Sequence, residues 1–266
     1  MVGIRHLFAL IYLALLAVPL NGAEIIFVKI MVDEEEATNE NAWRARLSGR
    51  LNKASDIIAQ YADVRFSVIE FGTWKSDNRV QDLSKSLREF EQEVAPGKAR
   101  IAIGFSSQYQ FQNGRNNLGG TRGPMRSHIL VRENAPSIRE PERLEVLVHE
   151  LGHFLCAAHS SSPQSVMRPV VGDGQARAAA FQITFDPLNA KIMRLAAREI
   201  RDRHVSRFQE MSRTTLVQLR APYQELARRL PDDKTAWRYL YVIDAILQPQ
   251  PPPADPGKVV IPPPSR

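Results

Sequence analysis

Three of the chain's six histidines fall in one eleven-residue window, His149-Glu150-Leu151-Gly152-His153-Phe154-Leu155-Cys156-Ala157-Ala158-His159. His149 and His153 are four residues apart. On an α-helix that is about 400° of rotation, so both rings leave nearly the same face about one turn apart. Two imidazoles so placed grip one Zn²⁺, whose tetrahedral preference leaves places for a third ligand and a water. Glu150 lies about 60° round the helix from His153. It can reach a water activated by the metal and serve as the general base. A third histidine close behind this H-E-x-x-H pattern makes His159 the natural further ligand.

That assignment demands a turn. On a continuing helix His159 would sit about 600° beyond His153 and point away from the metal, so the helix must end between them. A left-handed residue is the usual device, and glycine adopts that conformation cheaply. A non-glycine residue there costs roughly 1–2 kcal/mol, which metal ligation that fixes the geometry can offset; here Cys156 stands where the turn is needed. Two other side chains compete for the third position. If the helix ran on, the Cys156 sulfur would lie about 20° from His149, giving a His-His-Cys set. Glu199, on a later helix, would give His-His-Glu.

The surrounding chain reads as alternating strands and helices. Ile25 to Val32 is an apolar run closed by acids, a buried strand. Trp43, Leu47, Leu51, Ala54, Ile58 and Tyr61 recur at helical spacing within a helix over 41–62. Val64 to Phe71 is a second strand, and Leu83, Leu87, Phe90 and Val94 mark a second helix stopped by Pro96-Gly97. Ile101, Ile103 and Phe105 alternate as a third strand. A polar loop follows, with a short edge strand over 117–122, then a strand from His128 to Val131. The histidine helix starts near Pro141-Glu142 and buries Leu144, Val148, Leu151 and Leu155. Another helix opens at Asp186-Pro187 and runs to about Arg201, and two or three more occupy 204–248. This order predicts an α/β layer with a mostly parallel sheet.

The chain has 266 residues, 44% hydrophobic and 24% charged, as suits one globular domain with appendages. One cysteine excludes an intrachain disulfide. The net charge of +6 is concentrated late: residues 203–266 carry ten Lys/Arg against six Asp/Glu. Those charges are mixed with acids along helices, so they read as a solvated face and not as a nucleic-acid surface. Arg5 and His6 precede an apolar run from Leu7 to Leu20, and Ala23 offers a small residue for cleavage, the pattern of a secretory signal over 1–23. The run is shorter than the roughly 20 residues a spanning helix needs, so no stable membrane span is expected after cleavage, and the protein is expected to be secreted or periplasmic. Residues 249–266 hold eight of the eighteen prolines and read as an extended, disordered tail.

Eight residues beyond His159 comes Met167, within Ser165-Val166-Met167-Arg168-Pro169. Here the sequence resembles the metzincin metallopeptidases, whose long motif H-E-x-x-H-x-x-G-x-x-H is followed by a turn containing methionine. It is most similar to the matrixins: Ser160 follows the third histidine, Met167 stands at the turn, and Pro169 comes two residues later. Cys156 in the glycine position is the departure. The resemblance covers about 24–202 and implies a metzincin-like catalytic domain: a twisted, mostly parallel sheet, an active-site helix and a methionine turn, with 203–248 as a helical C-terminal extension. It favours His159 as third ligand, one Zn²⁺ and no second metal. The implied activity is that of an endopeptidase cleaving peptide or protein substrates, with Glu150 as general base. Substrate would lie along the edge strand at Leu118, Gly119 and Gly120, where the glycines permit close approach. Arg168 would stand in the wall of the pocket beyond the scissile bond, a charge available to acidic side chains. No tyrosine occurs in the methionine turn, so none is assigned to the oxyanion. The competing readings are a metzincin-fold binding protein without turnover, and a metallopeptidase of another clan with Glu199 as third ligand.

Overall fold

The computed structural model describes residues 22–108, 118–133 and 138–248. The expected signal segment, apart from its last two residues, and the proline-rich tail lie outside the described residues, as does Asn117 of the expected edge strand. The strands are β1 (Glu24–Asp33), β2 (Val64–Trp74), β3 (Ile101–Ser106), β4 (Gly119–Thr121) and β5 (His128–Arg132). The helices are α1 (Glu40–Ala59), α2 (Leu83–Glu93), α3 (Glu140–Phe154), α4 (Pro187–Arg203), α5 (Arg213–Arg229) and α6 (Lys234–Leu247). The five strands form one sheet in the order β2-β1-β3-β5-β4. All neighbours are parallel except β4, which runs antiparallel to β5 at the edge. The α/β class and the mostly parallel sheet are therefore as expected. The main differences are small: α1 stops three residues early, and β2 runs on to Trp74, paired throughout with β1.

The two faces of the sheet bury different sets. Ile26, Val28, Ile30 and Val32 alternate along β1 toward the main core, where they meet the α1 stripe of Trp43, Leu47, Leu51, Ala54 and Ile58. Met31 points the other way, into a smaller cluster with Trp74, Leu83, Leu87, Phe90 and Leu130 under α2. Both helices begin at side-chain caps: Asn39 Oδ1 accepts from Ala42 N–H and Asp82 Oδ1 from Lys85 N–H.

The main core also takes in a paired charge. Arg50, on α1, is 1% exposed. Its guanidinium donates to both Glu140 oxygens, each at 2.7 Å, and pairs also with Glu133. Removing an arginine from water is costly unless the whole fork is engaged, and two carboxylates engage it. Glu140 is the first residue of α3, so this cluster fixes the start of that helix to α1.

Helices α5 and α6 pack into the same apolar cluster as the sheet. Leu216, Leu219, Tyr223 and Leu226 of α5 and Ile243 of α6 are at most 2% exposed. No helix among the described residues is long and apolar enough to cross a membrane.

Candidate metal centre and cleft

Helix α3 carries His149, Glu150 and His153, all buried. It begins with Pro141 in its first turn, and Arg139 N–H donates to Glu142 Oε2 at 2.9 Å. It ends where the third histidine requires. Cys156 N–H donates to His153 O at 3.0 Å and Ala157 N–H to Gly152 O at 2.9 Å, the paired bonds of a Schellman ending. The left-handed residue in that motif is Cys156, with φ +70°. Its carbonyl accepts a 2.6 Å hydrogen bond from the Tyr223 hydroxyl of α5. Burial pushes the Cys156 thiol well above its usual range.

Beyond that turn the chain brings His159 back to the other two. The three ring centroids are 4.6, 5.0 and 5.4 Å apart, and one nitrogen of each ring lies within 4.8 Å of the others. In each ring Nδ1 is already engaged. His149 Nδ1 donates to Val166 O at 2.7 Å and His153 Nδ1 to Ala157 O at 2.9 Å. His159 Nδ1 donates to Asp233 Oδ2 at 2.6 Å. With a carbonyl or carboxylate on every Nδ1, the tautomers are set and each Nε2 is left with a lone pair.

The His149 and His153 Nε2 atoms are only 3.0 Å apart. Two lone pairs at that distance repel unless a cation sits between them, and a tetrahedral zinc with Zn–N of about 2.0–2.1 Å needs donors roughly 3.3 Å apart. The donor set fits zinc, which is the cofactor. Burial first, then the neighbouring imidazoles, keep His149 well below the usual histidine range. Burial first, then His159, hold His153 down at about 4. Both rings are therefore neutral and ready to ligate.

The methionine turn lies under this helix. Met167 is fully buried, its carbonyl accepts from Ser160 N–H at 2.8 Å, and its sulfur sits 2.7 Å from where a Cβ on Gly152 would be. Gly152, between Glu150 and His153, is thus what lets Met167 rise against the histidines. Glu150 makes a similar demand on the edge strand. A Cβ on Gly119 would fall 2.9 Å from both Cγ and Oε1 of Glu150. The space that Gly119 leaves is filled by the chain's own glutamate, while Gly120 faces α2 at ordinary contact distance. Burial pushes the Glu150 carboxyl up to about 8; a divalent cation beside it acts in the opposite direction.

A cleft opens over the centre. One side is β4 and its flanks, Leu118 to Gly123; the floor is His149, Glu150, His153 and His159. Pro169 and Val171 form a second wall. The third wall is Thr235, Arg238 and Tyr239 of α6. Arg168 is not among the lining residues. Its guanidinium is held at 2.7 Å by Glu145 and 3.0 Å by Asp173, and stacks over Phe181. It braces the wall from behind.

The rival ligand sets are not assembled. Glu199 lies at the start of α5, accepting from Ser212 N–H at 3.0 Å and from the Ser212 and Thr215 hydroxyls at 2.5 Å. Hydrogen bonds from those residues hold its pKa below the usual range against the opposing effect of burial. Helix α4 presents it to α5, not to the histidines. Cys156 likewise is not part of the gathered group.

What the sequence did not disclose is α6's share. Asp233 caps α6 through Thr235 N–H while its other oxygen holds His159. Burial acts to raise the Asp233 pKa, but the hydrogen bonds from His159 and Thr235 outweigh it and hold the carboxylate below its usual range. The meeting of Asp233 with a histidine 74 positions earlier leaves no local mark in the sequence.

Residues 71–191 match the family model described as Matrixin. No curated protein matches the chain. Among solved structures, archaemetzincin from Methanopyrus kandleri aligns at 14% identity over 66% of this chain and 96% of that one, with a TM-score of 0.44. A chain from a chaperone–substrate complex aligns at 12% identity over 67% of this chain and 35% of that one, with a TM-score of 0.46. The matrixin match takes in β4, the whole of α3, the turn at Cys156, His159 and Met167. Over that segment, a little under half of the chain, the sequence is similar to the matrixins, and it includes the three histidines that could hold a metal ion.

Proposed function

We propose that this protein is an exported zinc-dependent endopeptidase, with His149, His153 and His159 as metal ligands and Glu150 as the general base. The observation that carries the reading is the convergence of three tautomer-locked imidazoles beside a glutamate seated against the edge strand. When bound, zinc supplies Lewis acidity that polarises the scissile carbonyl and acidifies water. The carbonyls of Val166 and Ala157 and the Asp233 carboxylate orient the three rings, Asp233 acting as a positioning residue. Glu150, through a carboxylate oxygen, takes a proton from the attacking water and returns it to the leaving amine nitrogen. Its seat against Gly119 fixes it next to the strand along which the substrate backbone would pair. The outer edge of β4 is the side not taken by β5. Leu118, Gly119 and Gly120 would contribute main-chain contacts there, and Arg168 would hold the opposite wall.

The test is zinc content and hydrolysis of a mixed peptide library, wild type beside Glu150→Gln. Glutamine keeps the shape but cannot accept the proton, so zinc and folding should persist while hydrolysis falls by about three orders of magnitude or more. Equal hydrolysis by both proteins removes Glu150 from the mechanism. No hydrolysis by the wild type on a broad library makes the protein a zinc-holding binding module. Export rests on the Leu7–Leu20 run; N-terminal sequencing of the mature protein should find a start near Glu24, and retention of residue 1 on the mature protein overturns it.

A further inference from the structure

We infer that Arg238 makes the cleft selective for a substrate carboxylate. The inference rests on the proposed peptidase activity and specifies its substrate class. Arg238 lines the cleft together with the three histidines and Glu150. It projects from α6, outside the segment that resembles the matrixins.

The charges around it are unbalanced in a particular way. Two other described arginines, one lining the cleft and one behind its wall, are already matched: Arg122 pairs with Glu91 at 3.0 Å, and Arg168 with Glu145 and Asp173. Arg238 has no carboxylate partner among the described residues, and its side chain is exposed. Among the described residues the only acid lining the cleft is Glu150, which is buried against Gly119. The nearest acid along the chain, Asp233 at the cap of α6, is committed to His159, and Asp244 of α6 pairs with Arg220. Among the described residues lining the cleft, an incoming peptide thus finds an unpaired planar guanidinium at Arg238. That group offers several N–H donors in a fixed fork, suited to a carboxylate and to no neutral or basic side chain equally well. The aromatic ring of Tyr239 lies beside it on the same wall, anchored edge-on to Tyr223 at 5.6 Å and Phe208 at 5.9 Å. The arginine therefore stands on a packed support and not on a free loop.

The carboxylate can come from an Asp or Glu side chain near the scissile bond or from the substrate's own C-terminus. A peptide series separates them: one sequence with Glu, Gln or Lys placed in turn at each position flanking the cleaved bond, each made with a free and an amidated C-terminus. Wild type is compared with Arg238→Ala and Arg238→Glu, reading kcat/KM for every peptide. At one position the Glu-over-Gln ratio should fall about fivefold in Arg238→Ala. In Arg238→Glu the order should reverse in favour of Lys. If the C-terminus is the group recognised, the free-over-amide ratio moves instead. The same peptides are also bound to the Glu150→Gln protein with and without the Arg238 changes, so that recognition is measured even without turnover. Identical ratios in all Arg238 forms, in hydrolysis and in binding, overturn the inference. Failure of wild type to cleave, with carboxylate-dependent binding that Arg238→Glu abolishes, overturns the activity and leaves this inference standing. No binding of any peptide overturns both.

Discussion

At the scale of single residues, the turn at Cys156 is the place where the chain departs from the matrixin pattern and still brings its third histidine to the other two. The left-handed conformation forecast from the spacing of His153 and His159 is present at φ +70°. Three effects compete on replacing Cys156 with glycine. Relief of the left-handed strain gains roughly 1–2 kcal/mol. Loss of a fully buried Cβ–Sγ unit costs about 1 kcal/mol, and glycine's added freedom in the unfolded chain costs about 0.4–1 kcal/mol. Cys156→Gly should therefore keep stoichiometric zinc and full activity, with stability within about 1 kcal/mol of wild type by urea titration. Loss of zinc from that variant would show the sulfur to be a ligand. Asp233 and Arg238 were beyond sequence reading because nothing local marks them; each acquires its role only from where α6 comes to rest.

At the scale of elements, periodicity located nearly everything. The α1 stripe, the alternation along β1 and β3, and the proline and glycine stops predicted elements that the structure reproduces within a few residues. What periodicity could not convey was polar burial, since a lone charged residue in an apolar stripe carries no sign of its partner. Arg50 is one case and Asp33 another. Asp33 closes β1 at 1% exposure, accepting from the Ser106 hydroxyl at 2.5 Å and from Ser107 N–H at 2.9 Å. Burial pushes its pKa up to about 6, against the lowering effect of those hydrogen bonds. The folded protein thus holds this proton more tightly than the unfolded chain, where the ordinary value is 3.8. Its contribution is full below the unfolded value and is lost as pH rises through the folded one. Asp33→Asn keeps a neutral group throughout. Relative to wild type it should gain stability between about pH 4 and 6 and hold that gain above, by at most about 3 kcal/mol. Denaturant midpoints of the two proteins from pH 4 to 8 check this; a pH-independent difference would sink it.

At the scale of the molecule, the expected division between a catalytic domain over 24–202 and a helical extension over 203–248 is a proposal about folding units. The packing bears on it directly. Leu219, Tyr223 and Ile243 are fully buried in the cluster that contains the sheet and α3. Removing residues 204–266 would bare that surface and delete both Tyr223 and Asp233. Such a truncated chain should lose cooperative thermal melting and bind zinc substoichiometrically. A 24–203 fragment with wild-type zinc content and hydrolysis would instead make the last two helices dispensable. Composition hinted at none of this, because 204–248 reads as amphipathic helix whether it caps a site or hangs beside one.

The bond between His159 and Asp233 joins positions 74 residues apart, and that between Tyr223 and Cys156 positions 67 apart. Synthesis runs from the N-terminus, so every histidine is made well before the groups that aim the third one. On this arrangement a nascent chain has its three clustered histidines and Glu150 but not their final alignment. The expected consequence is that the metal site is complete only once the last helix has packed. The truncated chain is the arrested form of that nascent state, and its zinc content measures this timing as well.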